Sequence, residues 1–262
     1  MDTHPPTTDG RTTADTSGQT SLQIGILTRG KPTLGMVLSS LLLQDTTNIR
    51  VQIVDTSETP VMRRSDVNMA MRLAHERGIY CGYEFSRERR RAFSLGRRTL
   101  LDNLAGPYTC FVDDDIVMPS GSIRQMLAWA NNEPNCGFVA PVCRNSPIPH
   151  GVPLQSPRYV PGAIFRQDAL TRRILLEYYE TCADILDHET SLPRHWEVAF
   201  LTALFQLLER KCQLQSDNII YHLDYQERPN WDLDEPSLTA RSVQKARELI
   251  NKYSPAAAID LP

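Results

Sequence analysis

Tyr108-Thr109-Cys110-Phe111-Val112-Asp113-Asp114-Asp115-Ile116-Val117-Met118-Pro119 sets a run of strand formers against three consecutive carboxylates. Residues 108–112 have the length and composition of a buried strand. Three adjacent carboxylates at its carboxyl end repel one another unless a cation sits among them. Alternate side chains of a strand point to opposite faces, so Asp113 and Asp115 are expected on one side and Asp114 on the other. Two hard oxygen ligands so placed suit Mg²⁺ or Mn²⁺, which commonly recruits substrate phosphates to complete an octahedron. The plainer alternative is a solvated acidic turn.

Upstream of this strand the same pattern recurs. Residues 22–27 read as a strand, Thr28-Arg29-Gly30-Lys31-Pro32 as a turn, and 34–43 as a helix. A second strand at 49–54 ends in Asp55, a helix covers 66–77, a strand 79–85 and a helix 94–104, with Gly106 as its stop. Four strand–helix repeats predict an α/β domain built on a mostly parallel, Rossmann-type sheet flanked by helices. Ligands collect at the carboxyl ends of such strands, where Thr28, Asp55 and the three aspartates all fall.

Downstream the pattern is less regular. A helix is expected over 120–131 and strands over 136–142, 159–165 and 219–222. Further helices are expected over 168–185, 196–210 and 237–253. The connection 141–161 carries six prolines, and its length suits a lid or an acceptor surface.

Residues 1–21 are rich in Thr, Asp, Ser and Gly and are expected to be a disordered tail. The main domain is expected over 22–235, with a nucleotide-binding half at 22–117 and an acceptor-binding half at 118–235. A carboxyl-terminal helix and tail occupy 236–262. The 262 residues carry a net charge of −3, no general polyanion-binding signature. No apolar run reaches the length of a membrane span, and no basic-then-apolar secretory signal is visible. Six cysteines lie scattered without close pairs, as in a reduced cytoplasmic protein.

Laid out this way, the chain resembles family 2 glycosyltransferases, which have the GT-A fold. Four stretches carry the resemblance: Ile24-Gly25-Ile26-Leu27-Thr28-Arg29, Val51-Gln52-Ile53-Val54-Asp55-Thr56-Ser57, the helix and strand from Gly96-Arg97-Arg98 to Asp115, and Trp196-Glu197-Val198-Ala199-Phe200. The match departs in places. Strand two ends Asp55-Thr56-Ser57-Glu58 instead of Asp-Asp-Gly-Ser, and the Arg-Asn of the helix before D-x-D is Arg97-Arg98. Gln226-Glu227-Arg228-Pro229-Asn230-Trp231 lacks the Q-x-x-R-W of processive synthases, which disfavours that activity.

The resemblance implies a UDP-, dTDP- or GDP-sugar donor, a divalent metal (Mn²⁺ or Mg²⁺) on its diphosphate, and a hydroxyl-bearing acceptor, either a small molecule or a glycan. It implies Asp115 as metal ligand, Asp113 on the metal or the ribose, and His222 as a late metal ligand; His222 could equally be a hydrogen-bonded structural residue. Asp114 stands with the donor or shapes the turn. Arg97 and Arg98 would contact the donor, or lie on a solvated helix face. Asp55 and Thr28 would meet the nucleobase, with Thr28 alternatively a helix cap. An acceptor-only carboxylate at Asp55 suits uracil, thymine or guanine and not cytosine.

Glu197 is the expected general base, and direct displacement with one base inverts the anomeric centre. Its alternative is a carboxylate serving the helix dipole, and Asp184, Asp187 and Glu189 compete for the role. Arg87, Arg89, Arg90, Arg91, Arg97 and Arg98 form a cluster, read as a solvated edge or an anion contact, nucleic acid being its weakest partner. Trp196 and Trp231 either stack on a sugar or fill the core. Two rival functions stand beside the transferase: a sugar-phosphate nucleotidyltransferase, disfavoured by the single glycine after strand one, and a catalytically inactive partner subunit.

Overall fold

Strand β1 (Leu22–Thr28) is buried along almost its whole length, on both faces, as an interior strand of an α/β sheet must be. A computed structural model of the chain describes residues 22–46, 48–87, 92–144, 157–183, 193–223 and 236–254. β2 (Ile49–Asp55), β3 (Tyr80–Phe85) and β4 (Tyr108–Asp113) follow β1 in the parallel order β3-β2-β1-β4. Register pairs Thr28 with Asp55 and Leu27 with Asp113, so three polar strand ends lie level on one edge.

Helices α1 (Leu34–Leu42), α2 (Ser65–Glu76) and α3 (Ala92–Asn103) alternate with these strands. The second half adds β5 (Ile116–Val117), α4 (Ser122–Asn132), β6 (Cys136–Arg144), β7 (Ile164–Arg166), α5 (Ala169–Thr181), α6 (Pro193–Leu207), β8 (Lys211–His222) and α7 (Pro236–Tyr253). Two apolar layers result. One holds α1, α2 and α4 against the sheet, and the other holds α3, α5, α6 and α7. The carboxyl-terminal helix belongs to the second layer, with Ala246, Leu249 and Ile250 fully buried. None of the described helices is long and apolar enough to cross a membrane.

The sheet is mixed, with four parallel and three antiparallel ladders among the described residues, so the mostly parallel expectation holds in part. Its order is β3-β2-β1-β4-β7-β6-β8-β5. β7 runs antiparallel to both β4 and β6, and β5 antiparallel to β8, while β6 and β8 are parallel. A turn at Pro161 and Gly162 leads into β7, and the Gly162 φ of +93° favours glycine. Its amide donates to the Phe111 carbonyl at 2.7 Å. Tyr159 and Val160, expected in a strand, are buried but lie outside the ladder.

β5 and the first half of β8 were invisible to the apolar pattern. β5 has two residues, and residues 211–218 are mostly polar. Pairing with β6 makes the latter a strand, with a register shift between Pro141 and Val142, where proline has no amide to offer the ladder.

Gln44, 1% exposed, ties this second half to the first. Its Nε2 donates to the carbonyls of Met118 and Pro119, both at 2.9 Å, and its Oε1 accepts from the Ile123 amide at 3.2 Å. The turn that follows the aspartates is thereby held against the end of α1. Gln44→Leu leaves those buried backbone groups without partners and should cost roughly 2–4 kcal/mol, read as a lower urea midpoint with an unchanged m-value.

Candidate active site

Each of the three aspartates finds a different partner. Asp113, the last residue of β4, faces Arg97 Nη2 at 3.4 Å. Asp114 turns back to β1, where the Thr28 hydroxyl donates to its carboxylate at 2.7 Å and the Thr33 hydroxyl donates to its carbonyl at 2.7 Å. Asp115, fully buried, is ion-paired with the Lys31 ammonium and has His222 Nε2 3.5 Å from its other oxygen.

His222 arrives through tertiary pairing. β5 pairs with β8 at Ile116 and His222, and the Leu223 amide donates to the Asp115 carbonyl at 2.8 Å. On the neighbouring strand β6, the Cys143 thiol is pushed up to about 12, by burial first and then by the charges of Asp113 and Asp115. All six cysteines are free.

Arg97 and Arg98 separate cleanly. Arg98 is exposed and pairs with Glu180 on the surface. Arg97 is 1% exposed and reaches inward from α3. Its Nε and Nη2 donate to the two oxygens of Glu197 at 2.8 and 3.0 Å, a bidentate pair. The guanidinium lies over the rings of Phe93 and Phe111, 5.2 and 4.6 Å from their centroids. Burial works against its charge, yet Glu197 and then Asp113 keep it firmly protonated.

Glu197 is itself buried, one turn inside α6, and also accepts the Tyr179 hydroxyl at 2.5 Å. Burial, followed by the negative charge of Glu197, raises Tyr179 well above the usual phenol value and keeps it a donor. The expected base thus rests in a salt bridge, its oxygens occupied from within the fold.

Asp55 is fully buried, and its oxygens are turned onto the chain. They accept from the amides of Ser57 and Val61 at 2.9 and 2.8 Å and from the Tyr83 hydroxyl at 2.7 Å. Thr28, 1% exposed, is committed to Asp114. Trp196 packs in the core of the second layer, which answers its alternative reading. Asp184, Asp187, Glu189, Trp231 and Arg89 to Arg91 lie outside the described residues.

Leu27, Arg29, Lys31, Phe93, Arg97, Asp113 and Asp114 line a cleft of about 130 Å³ at this edge. It mixes three cationic side chains with two carboxylates, a lining suited to a phosphorylated ligand beside a cation. Among the described residues, no three His, Cys, Asp or Glu side chains converge into a ready metal cage. One oxygen of Asp115 is nevertheless buried without a hydrogen-bond donor, and it is the oxygen that faces His222. The chain therefore offers part of a coordination sphere, which fits a metal that takes its remaining ligands from substrate phosphate and water.

Lys31, Tyr179 and Cys143 were not among the residues singled out from sequence. Lys31 stands in the turn after β1, two residues from Arg29; Tyr179 and Cys143 carried no signal in the sequence.

No protein-family model matches the sequence, and no curated protein matches it. Solved structures do match in fold. The Staphylococcus aureus TarS fragment 1–349 superposes with a TM-score of 0.58 at 15% identity, over 89% of this chain and 66% of that one. The same fragment in complex with UDP-GlcNAc gives 0.58 at 14% identity, over 90% and 68%. The chain spans only 40% of the longer TarS structure. A mannosyltransferase from Pyrobaculum calidifontis, in complex with GDP-Man and Mn²⁺, gives 0.54 at 15% identity, over 94% and 78%. The chain has the GT-A-type fold of these transferases.

Arg97→Met strands two buried carboxylates and should cost about 3–5 kcal/mol. Arg97→Met combined with Glu197→Leu should recover a substantial part of that loss, measured by chemical denaturation as a double-mutant cycle.

Proposed function

We propose that this protein is a metal-dependent, inverting glycosyltransferase that moves one sugar from a nucleoside-diphosphate donor to a hydroxyl-bearing acceptor. The observation that carries this reading is the meeting of Asp113, Asp115, Lys31, Arg97 and His222 at the level ends of β1 and β4. The fold agrees with it, since the structural neighbours include complexes with UDP-GlcNAc and with GDP-Man and Mn²⁺.

The geometry supports a role for each residue. Asp115 and His222, with Asp113, would hold Mn²⁺ or Mg²⁺, and the bound ion would offset the charge that grows on the leaving diphosphate. Arg29, Lys31 and Arg97 line the cleft and would meet the donor phosphates with charge-assisted hydrogen bonds. Thr28 and Asp114 brace the turn that presents the other two aspartates. Asp55 acts on the nucleobase through the wall it builds, by fixing Ser57, Val61 and Tyr83.

Glu197 serves as base only after Arg97 turns from it toward the donor phosphates. That movement leaves a carboxylate with Tyr179 beside it, free to take the acceptor proton as the hydroxyl attacks the anomeric carbon. The bond to the diphosphate breaks on the opposite side, and the configuration inverts. While the Arg97–Glu197 pair holds, both oxygens of the base are engaged by Arg97.

Two measurements test the reading. Calorimetry with UDP, dTDP, GDP and CDP should show binding of a uracil, thymine or guanine nucleotide, strengthened by Mn²⁺ and lost in Asp115→Asn. A folded protein that binds none of the four has no donor site, and the partner-subunit reading then leads. With the matching nucleotide sugar, Glu197→Gln should lower kcat by about 10²–10⁴-fold while donor binding persists. Loss of donor binding with kcat preserved at saturation would make Glu197 a positioning residue for Arg97 instead.

A further inference from the structure

We propose that Lys31 is an exchangeable counter-ion of Asp115, holding the place of a divalent cation and leaving it when that cation binds. The inference rests on the metal-site reading above.

Asp115 is fully buried, and an ionised carboxylate there demands a positive partner. Two groups bracket it. The Lys31 ammonium contacts Oδ2, and His222 Nε2 stands 3.5 Å from Oδ1, an oxygen with no hydrogen-bond donor. The ammonium therefore occupies one oxygen of the carboxylate that a divalent ion would need, and leaves only the oxygen beside His222 open. A monovalent and a divalent cation on one carboxylate repel each other strongly in a poorly hydrated site, so they alternate.

Hydrogen bonds fix the backbone on either side of Lys31. Arg64 donates to the carbonyls of Gly30, Lys31 and Pro32, and is itself paired with Asp66. The Gly30 amide is held by the Thr28 hydroxyl at 2.9 Å, and Thr33 is held by the Asp114 carbonyl. From this pinned turn Lys31 extends a four-carbon stem whose side chain is 28% exposed and already lines the cleft. A flexible, readily hydrated ammonium can leave a carboxylate for phosphate oxygens nearby; a guanidinium, fixed by its planar fork, would leave less readily. Asp115 would then be neutralised in both states, by Lys31 before the metal arrives and by the metal afterwards. Lys31 would pass from protein carboxylate to donor phosphate.

The test is Mn²⁺ binding by calorimetry to the wild type, Lys31→Met and Lys31→Arg, without nucleotide, together with thermal unfolding of each with and without Mn²⁺. Lys31→Met should bind Mn²⁺ roughly tenfold more tightly or better, the effect of releasing one partly buried ion pair. Its Tm should fall without metal and rise more on adding Mn²⁺ than that of the wild type. Lys31→Arg should bind Mn²⁺ more weakly than the wild type. Equal Mn²⁺ affinity in wild type and Lys31→Met, weaker binding in Lys31→Met, or no Mn²⁺ binding by any of the three overturns the inference. If Lys31→Met folds only with Mn²⁺, the exchange is supported; if it folds in neither condition, an unchanged affinity in Lys31→Arg overturns it. Nucleotide binding by the wild type, measured on the same samples, reports separately on the transferase reading.

Discussion

A buried guanidinium organises this molecule. Arg97 sits on α3, reaches across the end of β4, and is met by Glu197 from α6, with Tyr179 of α5 on the far side of that carboxylate. Removing so much charge from water costs several kcal/mol per ion unless geometry and hydrogen bonds compensate. Here the compensation is a bidentate pair, a second carboxylate at 3.4 Å and two aromatic faces. The interaction ties the β1–β4 half of the domain to the α5–α6 half. It does so beside the cleft at the strand ends.

The three aspartates are tolerable for a related reason. Adjacent negative charges in a buried turn would repel, but the turn sends each to a different element. Asp113 goes to α3, Asp114 to the β1–α1 turn, and Asp115 to Lys31 and β8. Two of the three receive cations and the third receives a hydroxyl. The arrangement makes one edge of the sheet electrostatically dense, and it leaves one Asp115 oxygen without a hydrogen-bond donor.

The first half of the fold was legible because its signals are local. Apolar runs at 22–27, 49–54 and 108–112 match the strands closely, and the intervening helices shift by a residue or two, since terminal turns are set by hydrogen bonding as much as by composition. The second half was less legible because its strands are short or polar. β5 and the start of β8 exist through pairing with partners far along the chain. The turn just before β7 uses a left-handed glycine that the apolar pattern does not encode.

The sequence by itself determined an α/β sheet with polar strand ends gathered on one edge, because periodicity and turn residues act over a few positions. It also placed carboxylates at the end of β4, where a cation was to be expected. Only the tertiary structure decided what each carboxylate does. It turned Arg97 inward and Arg98 outward, closed Asp55 onto its own loop, locked Glu197 to Arg97 across a separation of 100 residues, and set Lys31 against Asp115 across 84. Those choices follow from the cost of burying charge, which is settled between elements distant in sequence and leaves no mark in any short stretch of it.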